Sequence, residues 1–212
     1  RLVGGKLIPS YFMYTTMDNA AVFNKAKGCS LDQSSEYMMS HMPKNMPIRS
    51  NKLESRLSLS SGEYQKTKKY LYDNLFIVKT ANNKYLKTRT DKELDVKSAR
   101  TNIVKMLFDN FGILRAEDIS RLLTNEFSMY EIRKILEGLA GEGSVKKGFI
   151  EENSDELYFL HPEAVKGEEV PVVKGKWILT YDDPFWLYLS AHIRSKFDVG
   201  TLDRKPSIAF DA

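Results

Sequence analysis

Cysteine is almost missing from this 212-residue chain: Cys29 stands alone, so no internal disulfide can form and a reducing compartment is expected. Histidine is nearly as scarce. His41, His161 and His192 are scattered, and with Cys29 they make no metal-ligand spacing, which excludes a structural zinc site. No apolar run approaches the roughly 18 residues of a spanning helix, so no membrane partner is expected. A P-loop is lacking too, because Gly4-Gly5-Lys6 is followed by Leu7 and Gly175-Lys176 by Trp177; an ATP motor is therefore absent from these residues. Neither an H-x-E with P-C-x-x-C pattern nor a G-x-S-x-G elbow occurs, which removes zinc deaminases and serine hydrolases of those types. The first residue is Arg, with no signal-peptide pattern behind it, and the chain is expected to begin partway through a longer protein.

What is present is ordinary in bulk and uneven in place. Hydrophobic residues make up 42% and charged residues 28%, with mean hydropathy -0.40, the composition of a folded chain with a core. The net charge is only +4. Between Lys44 and Lys105, however, 15 Lys and Arg face 6 Asp and Glu, a local excess of +9 that leaves the rest at −5. A polyanionic partner is expected for that stretch.

Hydrophobic spacing gives the elements. Residues 1–27 read as a strand or two and a short helix capped by Asp18 and running through Lys25. The polar, Met-rich residues 29–50 carry Pro43 and Pro47, which prevent a long helix. Ile103, Val104, Leu107, Phe108 and Phe111 predict an amphipathic helix over 97–111, stopped by Gly112. A second helix is predicted over 116–123, with Glu117 and Asp118 in its first turn and Ile119, Leu122 and Leu123 inward. Ser128-Met129-Tyr130-Glu131 is a capping box opening a third helix, with Ile132, Ile135, Leu136 and Leu139 as its buried stripe. Strands over 144–150 and 157–160 follow, joined by a polar tip. Three helices and a hairpin are the order of a winged helix.

The pattern occurs twice. Ser60-Ser61-Gly62-Glu63 is a second capping box, offset by 68 residues from Ser128–Glu131, and at that offset Tyr64 matches Ile132, Leu71 matches Leu139 and Ile77 matches Val145. Strands over 75–80 and 84–88 then correspond to the later hairpin. The expected fold class is α+β: tandem winged-helix units with a short β/α C-terminal segment. The expected division is a leading mixed segment over 1–50, a first unit over 51–90 whose leading helices lie before Ser60, a second unit over 91–165, and a strand-helix-strand segment over 166–212. In that last segment Trp177-Ile178-Leu179 is a strand, Asp183 and Pro184 open a helix, and Ser207 to Phe210 is a final strand.

In such a fold the third helix faces the major groove and the hairpin reaches backbone or minor groove, so both should carry cations. The first unit offers Lys66, Lys68, Lys69, Lys79, Lys84, Lys87 and Arg89; the second offers Arg133, Lys134, Lys146 and Lys147. Base-reading candidates are Tyr64, Gln65, Tyr130 and Asn82-Asn83. The other reading of these lysines is a solvated face on a protein-interaction module. Asp182 and Asp183 are adjacent carboxylates that read chiefly as a cap and a surface charge, with water activation as the other reading. Trp177 and Trp186 read as core residues before base-stacking ones. No catalytic residue, metal or cofactor is assigned.

The run Ile103 to Val165 resembles a known region. Phe111-Gly112-Ile113-Leu114, Leu136-Glu137-Gly138-Leu139, Gly143-Ser144-Val145-Lys146-Lys147-Gly148-Phe149-Ile150, Leu157-Tyr158-Phe159-Leu160 and Pro162-Glu163-Ala164-Val165 are similar to the C-terminal winged-helix region of Lhr-type, large helicase-related, superfamily-2 helicases. Ile178-Leu179 with Asp182-Asp183-Pro184 resembles the stretch where that region passes into a β-barrel, so residues 166–212 are expected to belong to a reduced or truncated barrel. The chain is similar also to the AlkZ-type winged-helix DNA glycosylases. The resemblance implies a DNA-handling module of a helicase-type or DNA-repair protein. Double-stranded DNA is then the partner, with covalent or non-covalent association with a helicase motor, and the location is cytoplasmic, or nucleoid-associated in a prokaryote. It leaves base excision open as the alternative activity. The glycosylase's Q-x-Q catalytic element has no counterpart, the two glutamines being Gln33 and Gln65.

Overall fold

The computed structural model describes residues 2–8, 11–88, 93–123, 125–149, 155–165, 176–180, 199–201 and 207–211. It is a mixed structure of helices and small antiparallel sheets that divides into two compact units, Arg1–Ile103 and Val104–Ala212. The division between the units falls within a helix.

The first unit starts with a hairpin, β1 (Leu2–Ile8) and β2 (Tyr11–Thr16), and a helix, α1 (Met17–Lys27). Thr16, rather than the expected Asp18, caps α1: its hydroxyl accepts from the Asn19 N–H at 3.2 Å, and Asp18 lies in the first turn, where a carboxylate suits the helix dipole. The Met-rich segment holds a helix, α2 (Gln33–His41), capped by Asp32 through the Ser35 N–H at 2.8 Å and finished before Pro43. A short α3 (Ser50–Glu54) follows, with helical hydrogen bonds continuing to Leu57. Then come α4 (Ser61–Asp73) and the hairpin β3 (Ile77–Lys79) and β4 (Tyr85–Lys87). The sheet order is β2-β1-β3-β4, and Ile48 bridges Tyr85 on the free side of β4.

Strand alternation assigns this sheet two cores. Ile77 and Tyr85 pack with Met38, Met42, Leu53, Tyr64 and Leu71 on one face. Val78 and Leu86 pack with Val3, Leu7, Ala20 and Leu75 on the other. Burial of each such side chain contributes roughly 1.5–3 kcal/mol.

The turn from α4 into β3 is unusual. Leu75 holds a left-handed φ of 59° and is fully buried. The Phe76 N–H donates to the Leu71 carbonyl at 2.9 Å and the Leu75 N–H to the Tyr72 carbonyl at 3.2 Å, which is a Schellman stop with leucine where glycine is usual. Gly5 makes room for it: a Cβ there would lie 2.6 Å from Leu75 Cδ2.

The second unit repeats the order. Helix α5 (Val96–Phe111) carries the unit boundary and buries Ile103, Val104, Leu107 and Phe108. After Gly112 come β5 (Ile113–Leu114), α6 (Ala116–Leu122), α7 (Met129–Gly141), β6 (Lys146–Gly148) and β7 (Tyr158–Leu160), with sheet order β5-β7-β6. Strand β5 is an element that sequence spacing did not reveal, and its two residues are placed by pairing with β7. Arg115 anchors α6: its Nε and Nη2 donate to the two Asp118 oxygens at 3.0 Å each, and Nη1 donates to Glu156 at 2.6 Å.

The offset of 68 holds atom for atom at the helix starts. Ser60 and Ser128 each close a capping box, with serine N–H to glutamate oxygen at 3.0 Å and glutamate N–H to serine hydroxyl at 3.3 Å in both. Tyr64 and Ile132, Leu71 and Leu139, Ile77 and Val145 are all buried. Leu75 matches Gly143, the left-handed residue (φ 73°) that ends α7 by the same pair of bonds. Strands are shorter than predicted: Ser144 and Val145 donate to the Leu139 carbonyl at the helix stop, so β6 begins only at Lys146.

Past Val165 the described residues form a three-stranded antiparallel sheet, β8 (Lys176–Thr180), β9 (Val199–Thr201) and β10 (Ser207–Asp211), with β10 central. Strand β9 was not foreseen. The helix expected at Asp183-Pro184 lies outside the described residues, as do Asp182, Trp186 and His192.

Candidate nucleic-acid interface

In α4 the capping box fixes the helix start, so the inward positions Tyr64, Thr67 and Leu71 leave Gln65, Lys66 and Lys69 in solvent. Lys69 meets Asp73 one turn on, and Lys6 of β1 meets the same carboxylate at 3.0 Å. Burial pushes the Asp73 carboxyl up, but these two ammoniums outweigh it and hold the group below its ordinary value.

Lys68 is turned inward. Its Nζ donates to Ser50 Oγ at 3.2 Å and sits 4.9 Å above the Tyr64 ring. Lys79 approaches from the hairpin, 5.3 Å from the Tyr72 ring, and both ammoniums flank Tyr85, at 6.0 Å and 5.6 Å. Desolvation and the neighbouring Lys79 charge lower the Lys68 pKa despite the opposing pull of Glu54. Helix and hairpin are thus joined by cations sharing aromatic faces, a contact worth roughly 0.5–2 kcal/mol each. Lys87, half-buried, has its pKa lowered by burial and by Lys44.

Tyr64, expected among the base readers, is instead fully buried, and its hydroxyl donates to the Ser50 carbonyl at 2.8 Å. Gln65 is exposed, as are Asn82 and Asn83 at the β3–β4 turn, where Asn83 takes a left-handed φ of 56°. Arg89 lies outside the described residues.

A cleft of about 410 Å³ opens beside β4, walled by Met46 and Pro47 and lined by Arg49, Lys52, Arg56 and Lys84. Among the described residues no carboxylate pairs with any of these four cations. The mutual Ile48–Tyr85 backbone bonds, 2.8 Å each, fasten the cleft floor to the sheet. Arg49, Lys52 and Arg56 belong to the local charge excess of residues 44–105 but are not among the expected site residues. Their spacing of three and four residues, which puts them on one helix face, was the available signal.

The second unit looks different. Arg133 is answered by Glu117 at 3.2 Å, Lys147 by Glu137, and Lys105 by Glu142 at 3.6 Å. Lys134 lies 6.0 Å from the ring of Tyr130, which is 73% exposed on the first turn of α7. Lys146 is exposed on β6, and Phe149 follows it at 60% exposure. Among the described residues no cluster of His, Cys, Asp or Glu could hold a metal ion, and no helix is long and apolar enough to cross a membrane.

No protein-family model and no curated protein matches the sequence. Among solved structures, the Streptomyces sahachiroi DNA glycosylase AlkZ superposes with a TM-score of 0.65 over 99% of this chain and 68% of that one, at 14% identity. The chain has an AlkZ-like fold. The AlkZ-type resemblance read from the sequence therefore holds at the level of architecture. In this AlkZ-like fold, the cations of residues 49–88 lie on or beside α3, α4 and the β3–β4 hairpin of one unit.

Proposed function

We propose that the chain is a noncatalytic DNA-binding module of two winged-helix units, each with the order helix, helix, helix, hairpin, that holds a DNA duplex by its phosphate backbone. One observation carries this reading. From α3 through the first hairpin, residues 49–88, nine Lys and Arg face three carboxylates, whereas the corresponding stretch of the second unit, residues 116–160, sets five against ten. A cationic helix-and-hairpin surface on a fold like that of a DNA glycosylase fits DNA better than it fits a protein partner. In this reading Lys66, Lys69, Lys79, Lys84 and Lys87 supply the principal backbone contacts, Lys69 leaving Asp73 to Lys6, which holds the same carboxylate. Arg133, Lys134, Lys146 and Lys147 are auxiliary, their charge being largely balanced within the unit. Lys68 supports the surface from behind rather than meeting phosphate.

The helicase resemblance of Ile103–Val165 adds the same kind of module and no separate activity. The test is fluorescence anisotropy with labelled duplexes of unrelated sequence. Binding of similar strength on each duplex is expected, and Lys66→Glu with Lys69→Glu weakens it alike on all of them. Absence of binding, or binding that salt leaves untouched, overturns the reading in favour of a protein-interaction module.

A further inference from the structure

The cleft beside β4 has a make-up that duplex backbone does not require. Phosphates on a duplex are met adequately by exposed lysines on a convex or flat surface. Here Arg49, Lys52, Arg56 and Lys84 converge on a concavity instead, and its wall is apolar: Pro47 and Met46, the latter 65% exposed. An exposed methionine beside four cations is out of place on a purely electrostatic surface. Its thioether is suited to contact with the edge or face of an aromatic ring. The volume of about 410 Å³ lies in the range of roughly 300–1,000 Å³ that small-ligand sites occupy.

From this combination we propose that the cleft is a nucleotide subsite, which takes one unpaired nucleotide with its phosphates against Arg49, Lys52, Arg56 and Lys84 and its base against Met46 and Pro47. The proposal rests on the DNA-binding reading and deepens it: the module binds a duplex that continues into a single strand more tightly than a blunt one. Three features support it. The cations are unpaired among the described residues, so phosphate meets them without breaking an ion pair. Arg49, Lys52 and Arg56 lie on one face of a helical segment and Lys84 comes from the hairpin, so the charges bracket the cleft from two sides. The floor is fixed by the Ile48–Tyr85 backbone pair, so the cleft exists before any ligand arrives.

The experiment measures the full chain by anisotropy against a blunt duplex, the same duplex with a single-stranded extension, and the extended duplex in the presence of free deoxyadenosine monophosphate. The extended duplex is expected to bind roughly tenfold more tightly, near the upper end of what one thioether–ring contact adds. Arg49→Ala with Arg56→Ala, both exposed positions, brings that ratio close to one, as does Met46→Asp. Lys66→Glu with Lys69→Glu lowers both affinities and keeps the ratio. Displacement of the extension by the free nucleotide supports the site with mononucleotides as its ligand; persistence supports it with a strand. A ratio near one in the unaltered chain, with blunt-duplex binding intact, overturns the subsite and leaves the DNA-binding reading standing. If the blunt duplex does not bind at all, the DNA-binding reading fails. The subsite is then upheld by binding of the single strand or nucleotide that Arg49→Ala with Arg56→Ala abolishes, and overturned by its absence.

Discussion

Replacing Leu75 separates two physical effects that oppose one another at a single residue. The side chain is fully buried with Val3, Leu7, Ala20, Val78 and Leu86, while its backbone holds φ at 59°. Truncation to alanine removes buried methyls at about 2.7–5 kcal/mol, the range for leucines in well-packed cores, and leaves the left-handed strain in place. Truncation to glycine loses the same packing but relieves that strain, worth about 1–2 kcal/mol. Leu75→Gly should therefore be the more stable of the two by about 1 kcal/mol, against the usual order of alanine over glycine. At Gly143, where a Cβ would meet nothing within 4 Å, alanine should cost about 1 kcal/mol from conformation alone. Urea unfolding followed by circular dichroism reads all three variants. If Leu75→Ala proves as stable as Leu75→Gly, the leucine is not strained; if both lose less than about 1 kcal/mol, the burial argument fails.

Arg115→Ala should destabilise the second unit by about 3–5 kcal/mol, because it strands the buried Asp118 carboxylate, whereas Arg115→Met with Asp118→Leu should lie near the parent; urea midpoints test the pair. The lowered Asp73 pKa makes folding favour the ionised form, so its stabilisation is complete above the ordinary value of 3.8 and disappears as pH falls through the lower native value. Asp73→Asn should therefore cost about 0.5–1 kcal/mol near neutrality and flatten the acid limb of the stability profile below pH 3.8, read by thermal melts across pH. Incubation with uracil- or alkyl-containing duplex followed by alkali should produce no strand scission; abasic product would establish base excision and overturn the noncatalytic reading.

Sequence patterning revealed the repeat because each α4-type helix opens with a Ser-x-x-Glu box whose reciprocal bonds are local, so four residues suffice to specify them. A glycine such as Gly143 marks a helix stop in the sequence itself, whereas its counterpart Leu75 gives no sign of a left-handed backbone. Strand β5 and the Ile48 bridge escaped for another reason: two residues or one become strand only through a partner 37 to 47 positions away. Site residues divided along similar lines. Lys66 and Lys69 were legible from helix period alone. Charge alone makes Lys68 a surface residue, but its place four residues after Tyr64 turns it toward Ser50 and two tyrosine rings. The cleft was illegible because Met46, Arg56 and Lys84 come from a turn, a helix end and a hairpin that only the fold brings together.

The central claim is that DNA backbone is held chiefly by the first unit's cationic surface. It is tested most directly by the salt dependence of duplex binding for the unaltered chain, for Lys66→Glu with Lys69→Glu, and for Arg133→Glu with Lys134→Glu. Each lost phosphate contact lowers the magnitude of the log–log slope by about 0.9, so the first pair should flatten it by about 2 and the second by clearly less. Equal slopes in the unaltered chain and the first pair, or a greater loss in the second, would contradict the account.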